Sequence, residues 1–304
     1  NRMKYLKELL IYIKFKLNKL LNNEKNIIKV LNNNIDKITC IDLGASYYPH
    51  KKWDFFIDSN KTNWVAVDPN EKNLKYIDNW KFKSTIIKMP KSISADGGFK
   101  DLYITNIDSG SSLLIPKLNS NSEHRESYDY YFPYKKVKIE TISINELLNI
   151  YNLTNILLKL DIQGIEGDVL TSINEKNLEK IILIETEQNF NLTPTMQGTT
   201  KFYDLQKFLE DNNFEILEIE TVNYSRSKSN KRGNKNIICE SNVIFARSHD
   251  YVLSKGIKEC FSLMGGYLSY KYYGEIFGLC EKILKHQEFK VYHPEIKKIL
   301  KELK

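Results

Sequence analysis

The sequence predicts an α/β fold: a mostly parallel sheet covered by helices, closed by one antiparallel hairpin and extended by helices at both ends. Three observations predict it. From about residue 36 onward, short apolar runs alternate with helical segments, as crossover connections between parallel strands require. "FEILEIETVNY" and "SNVIFARS" then follow one another with no helix between them, which makes them a hairpin. Residues 1–35 and 249–304 carry apolar side chains at helical spacing, leaving 36–248 as the sheet-bearing domain.

Taken in order, Leu6, Leu9, Leu10, Ile13, Leu17 and Leu20 recur at three- and four-residue steps, with Lys7, Lys14 and Lys19 between them. Such a helix packs on its own domain or on a partner subunit, so a homodimer is open. The basic face of residues 1–21 also suits weak contact with an anionic membrane surface. "KITCIDLG", "NWVAVDPN" and "KSTIIKM" read as strands, and "DLYITN" as an extra one. "NILLKLDI" and "KIILIETE" are further strands, joined by a helix over "EGDVLTSINEKNLEK" and followed by one over "KFYDLQKFLEDNN". The polar, basic "SRSKSNKRGNKN" links the hairpin strands as a solvated loop. "YVLSKGIKECFSLM" and "YYGEIFGLCEKILKHQ" read as helices of the C-terminal extension.

Composition bounds the function. The 45 basic and 38 acidic residues give +7, a modest excess that favours anionic small molecules or acidic lipid surfaces. No dense Lys/Arg stripe interleaved with aromatics is present, so nucleic acid is not an expected partner. Cys40, Cys239, Cys260 and Cys280 lack metal or disulfide spacing and read as reduced thiols. No stretch approaches the length of a membrane span and no signal-peptide pattern opens the sequence, so a cytoplasmic setting is expected.

Two strand ends point to a nucleoside. "ITCIDLGAS" places Asp42 near the end of a buried strand and turns on Gly44 and Ala45 toward Ser46, while "VAVDPN" ends the next strand in Asp68 and Pro69. A glycine there allows the main chain to turn sharply beside a ligand, and a carboxylate one strand away can accept both ribose hydroxyls. Where a pyrophosphate cradle needs further glycines, the chain has Ser46, Tyr47 and Tyr48. S-adenosylmethionine has a ribose but no phosphate and tolerates that loop, so it is the expected cofactor in preference to NAD.

A second constellation interrupts the apolar run "LLKLDIQGIEGDVL". Strand alternation would put Leu157, Lys159, Asp161 and Gln163 on one face, opposite Glu185 and Glu187 of "IILIETEQN". The structural alternative is a buried Lys159–Glu185 ion pair with Asp161 capping the next helix. Asp161 is the expected general base, with Lys159 fixing its carboxylate and Glu187 as a second base or a substrate ligand. His50, Glu185, Ser111 and Ser112 are expected on the substrate side. His50 and His124 are competing bases, His124 reading more simply as a solvated loop residue, and the aromatic loop around it, with Tyr128, Tyr130, Tyr131 and Phe132, could stack on sugar faces or cover the core. The carboxylates could bind Mg²⁺ or Ca²⁺, but a metal-free site is favoured.

"CIDLGAS", "VAVDPNEKNL", "SGSSLL", "VKIETISINELL", "ILLKLDIQGIEGDVL" and "IILIETEQNF" resemble, in order and near spacing, the FkbM family of methyltransferases. "FYDLQKFLEDNNFEILEI" and "SNVIFAR" continue the likeness, which covers about residues 38–248. Its most specific element is Lys159, Asp161, Gly164 and Glu166. The resemblance implies a class I, Rossmann-like methyltransferase fold that binds S-adenosylmethionine, and O-methylation of a sugar hydroxyl in a glycan precursor or nucleotide-linked sugar. Tyr48 followed by Pro49 departs from the family's usual glycine. A non-catalytic binding or scaffold protein on a degenerate fold is the alternative that this departure and the terminal helices suggest.

Overall fold

The computed structural model describes residues 23–46, 50–53, 56, 60–79, 83–117, 131–151, 153–190, 196–224 and 237–304. The chain divides into two compact units, Lys37–Tyr251 and a second that joins the residues up to Asp36 to Val252–Lys304.

The larger unit is built on ten strands: β1 (Ile38–Leu43), β2 (Thr62–Val67), β3 (Thr85–Met89), β4 (Ser92–Ser94), β5 (Gly98–Thr105), β6 (Pro133–Ser143), β7 (Ile156–Leu160), β8 (Ile181–Asn189), β9 (Phe214–Tyr224) and β10 (Ile237–Arg247). Seven form one sheet in the order β3-β2-β1-β7-β8-β10-β9. The first five of these run parallel, and β10 pairs antiparallel with both β8 and β9. This is the α/β fold with a terminal antiparallel hairpin that the strand pattern predicts. Every residue of β1 and all but Lys159 of β7 are buried, because helices cover both faces of a parallel sheet. Ile41, Leu43, Leu158, Leu160, Val169, Ile184 and Leu205 share one continuous apolar core there.

Chain order reverses at the middle of the sheet: β1 leads outward to β2 and β3, and the chain returns to pair β7 on the other side of β1. Loops leaving β1 and β7 therefore part, and their carboxyl ends frame a crevice.

The extra strand expected over "DLYITN" is present: as part of β5 it joins β4 and β6 in a separate three-stranded sheet. The structure differs from expectation in two places. The segment expected as one helix after β7 is two short ones, Glu166–Thr171 and Glu175–Leu178, because Asn174 accepts from Asn177 N and starts a new helix. Strand β7 ends at Leu160, and Gln163 takes a left-handed backbone (φ 60°), so strand alternation does not extend to Asp161 and Gln163.

In the smaller unit the helical reading holds for residues 23–34, and residues 1–22 lie outside the described residues. Helices Ile257–Ser269, Tyr273–Lys285 and His293–Leu303 surround a core that includes Phe261, Met264, Leu279, Ile283, Ile296 and Ile299. Gly256 separates the first of these from His249–Lys255. No described helix is long and apolar enough to cross a membrane.

Candidate active site

A cleft of about 370 Å³ opens at the strand-order reversal. Gly44 and Ser46 line it from the loop after β1, Asp68, Pro69 and Asn70 from the loop after β2, and Asp161 and Gln163 from the loop after β7. The three-stranded sheet closes the far side with Leu102, Ile104, Val137 and Ile139, beside Ser111 and Ser112.

Gly44 is required by two facts. Its φ is +84°, and a Cβ there would lie 2.0 Å from the carbonyl oxygen of Asp161. Asp161 N donates to Leu43 O at 3.1 Å, so the glycine lets the exits of β1 and β7 touch. What approaches Gly44 most closely is therefore the protein's own main chain. Asp68 is set by the turn that follows it: its Oδ1 accepts from Asn70 N at 2.7 Å and Asn73 Nδ2 at 3.4 Å. Asn70 in turn caps helix Glu71–Tyr76 by accepting from Lys72 N.

Asp42, Lys159 and Glu185 are register partners across β1, β7 and β8. Lys159 Nζ lies 3.2 Å from Asp42 Oδ1 and 3.6 Å from Asp161 Oδ2. The Lys159–Glu185 ion pair of the structural alternative is not formed. Glu185 Oε2 instead meets His50 Nε2 at 3.0 Å and Lys52 Nζ at 3.5 Å. Burial disfavours the ammonium of Lys159, but the Asp42 and Asp161 carboxylates outweigh it and hold its pKa above the usual lysine range.

Asp161 does not cap the next helix. Its Oδ1 accepts from Gln163 Nε2 at 3.1 Å, and the same amide reaches Glu187 Oε2 at 3.4 Å. Glu187 is pushed well above the ordinary carboxyl range, first by burial and then by the carboxylates of Asp161, Glu166 and Glu240. Burial and its acidic neighbours thus favour its neutral form. Glu166 secures the loop: its two oxygens accept from Ile162 N and Gly164 N, each at 2.8 Å. Burial pushes its pKa up to about 7 against the pull of those backbone bonds. Gly164 (φ +107°) admits the side chain of Met196, which a Cβ would meet at 2.9 Å.

Beside the cleft lies a smaller pocket of about 30 Å³, lined by Tyr131, Gln163, Glu187, Asn189, Thr199 and Glu240 among others. Gln163 lines both cavities. Ser112 Oγ donates to the Gln163 carbonyl at 2.6 Å and ties this residue to the cleft wall.

The cleft thus collects Gly44, Ser46, Asp68, Pro69, Ser111, Ser112 and Asp161, with Glu187 in the adjoining pocket. Asp42, Ala45, His50, Lys159 and Glu185 are not in its lining: Asp42 serves Lys159, Ala45 is buried, and His50 serves Glu185. Asn70, Asn73 and the inner face of the three-stranded sheet are the residues that sequence reasoning passed over, and Gln163, named on the site face, was given no role there. Alternation in "VKIETI", with Val137 and Ile139 two apart, was the available signal. Tyr47, Tyr48, Pro49, His124, Tyr128 and Tyr130 lie outside the described residues. Among the described residues, no three His, Cys, Asp or Glu side chains come together so as to hold a metal ion.

Comparison with curated proteins yields no match to this chain. Comparison with family models matches residues 42–216 to the methyltransferase FkbM domain, a span that starts at the carboxyl end of β1 and contains every residue lining both cavities except Glu240. With more than half its length so matched, and with that match centred on the crevice of a mostly parallel sheet, the chain belongs to the FkbM family of methyltransferases.

Proposed function

We propose that the chain is an S-adenosylmethionine-dependent O-methyltransferase whose acceptor is a hydroxyl of a sugar or glycan precursor. One observation carries this reading: Asp68, at the end of the strand beside β1, faces the same cleft as the Gly44 turn and the exit of β7. The cleft's volume of about 370 Å³ lies within the range of small-molecule sites. Its polar groups suit the cofactor. Asp68 would hold the ribose hydroxyls, Ser46 and the Gly44 main chain the amino-acid portion, and Ile93, Leu102 and Ile104 the base. When bound, S-adenosylmethionine supplies a methyl group on a cationic sulfonium.

The chain's own residues then have separable tasks. Asp161, half exposed at the cleft, accepts the proton of the acceptor hydroxyl, and Lys159 fixes its carboxylate from below. Glu187, whose neutral form burial favours, is placed to donate a hydrogen bond to an acceptor oxygen. Asn189, Thr199 and Glu240 around it offer donors and acceptors in the alternation that a polyol needs. His50, paired with Glu185, supports the sheet face behind this site. A cytoplasmic setting accords with three buried free thiols, Cys40, Cys260 and Cys280.

Calorimetry with S-adenosylhomocysteine tests the donor assignment. The purified chain should bind it, and Asp68→Ala should weaken binding at least about tenfold, the equivalent of one charge-assisted hydrogen bond. No binding by the unaltered protein would sink the reading. Transfer of a labelled methyl group to non-sugar acceptors alone would overturn the acceptor class while leaving the donor in place.

A further inference from the structure

The surplus positive charge of the chain lies in one of its two units. Residues 1–36 with 252–304 carry 18 Lys and Arg against 9 Asp and Glu, whereas residues 37–251 carry 27 against 29. Part of that surplus is concentrated on a single helix face. In His293–Leu303, Ile296 and Ile299 are buried in the unit's own core. Lys297, Lys301 and Lys304 stand four and three residues apart on another side, with Lys298 beside them, and all four are exposed. Lys290 is exposed just before this helix, next to Val291, which at 81% is the most exposed large hydrophobic side chain among the described residues.

Lys258 pairs with Asp36 and Lys271 with Glu24, but the five lysines of this face have no ion-pair partner among the described residues. Like charges crowded on one face repel one another until an anionic surface neutralises them. The occupant must therefore be recognised chiefly by charge, because the helix's apolar side is already spent in the core. We infer that this face docks the protein peripherally on an anionic lipid bilayer, lysines among the headgroup phosphates and Val291 as a shallow apolar contact. A bilayer fits better than a nucleic acid, since no exposed aromatic stands among the lysines to stack on bases and an exposed valine gains nothing from a phosphate backbone. The contact is electrostatic and reversible: each lysine near an anionic surface adds roughly fivefold to partitioning, and salt screens it.

Sedimentation of the full chain with vesicles tests this. Vesicles of equal phosphatidylglycerol and phosphatidylcholine should carry the protein down at about 0.05 M salt and release it at about 0.5 M. Pure phosphatidylcholine should not bind it. The triple variant Lys297→Gln, Lys298→Gln, Lys301→Gln should bind the mixed vesicles roughly a hundredfold more weakly, with an unchanged thermal midpoint because the three side chains are exposed. Equal binding of variant and unaltered protein would overturn the assignment. So would equal binding to both vesicle types, or binding to homopolymeric RNA with none to vesicles.

Discussion

Gln163 holds a backbone conformation that non-glycine residues avoid, with φ at 60°, at the point where two cavities meet. A left-handed residue with a Cβ costs roughly 1–2 kcal/mol, so its side chain must return something that glycine could not. The return is visible: one amide reaches both Asp161 and Glu187, and the carbonyl is anchored by Ser112. The chain thus accepts strain to set one amide between the partly exposed Asp161 and the largely buried Glu187. Replacing Gln163 with glycine should therefore leave the urea midpoint equal or higher, while lowering methyl transfer to an identified acceptor about tenfold or more through lost orientation. Stability and rate falling together would instead mark Gln163 as merely structural.

At the scale of elements, what the sequence made legible follows from how each element earns its stability. Strands β1, β7 and β8 are largely buried, so each shows as a short, mostly apolar run in which a charged residue stands out, and the hairpin appears because two runs lack a helix between them. The three-stranded sheet has one exposed face, with Phe99, Tyr134, Lys136 and Lys138 outward, and its polar half hides the pattern. Gly44, Asp68 and Asp161 were legible because a glycine or a carboxylate at a strand end is conspicuous. The partner of Lys159 was not, since three acidic side chains lie within reach of its strand and only register and side-chain direction choose Asp42. The role of Arg247 was equally hidden. At the end of β10 it donates to the carbonyls of Leu178, Ile181 and Asn212, and its guanidinium lies 3.9 Å from the centre of the Phe214 ring. Burial lowers its pKa to about 10, so it stays cationic while clamping the hairpin to the segments before β8 and β9. A lysine cannot reach three carbonyls at once, and each orphaned acceptor costs about 1 kcal/mol or more. Arg247→Lys should lower unfolding free energy by about 3 kcal/mol, read from denaturant midpoints at unchanged slope.

For the whole molecule, the same buried carboxyl groups that equip the site make its stability depend on pH. Glu166 titrates near 7 in the folded chain, against an ordinary glutamate value near 4.5, with burial as the largest cause. The folded state thus binds this proton more tightly than the unfolded state, and stability falls as pH rises between those two values. Glu187, raised by burial and by neighbouring carboxylates, acts in the same direction. Lys159 does not offset them, because its raised pKa contributes stability that is fully present below the ordinary lysine range and is lost only in strong alkali. The gap for Glu166 corresponds to about 3 kcal/mol, a sizeable part of a domain's total stability. Unfolding free energy measured in urea should accordingly decline from pH 5 to pH 7.5, with the decline reduced by about 2 kcal/mol in Glu166→Gln, which does not ionise; the rest of the gap is lost below pH 5. A variant whose profile parallels that of the unaltered protein would show that Glu166 is already ionised at pH 5. Its two backbone bonds to Ile162 and Gly164 would then outweigh its burial, and the loop that carries Gln163 would be held equally firmly across this range.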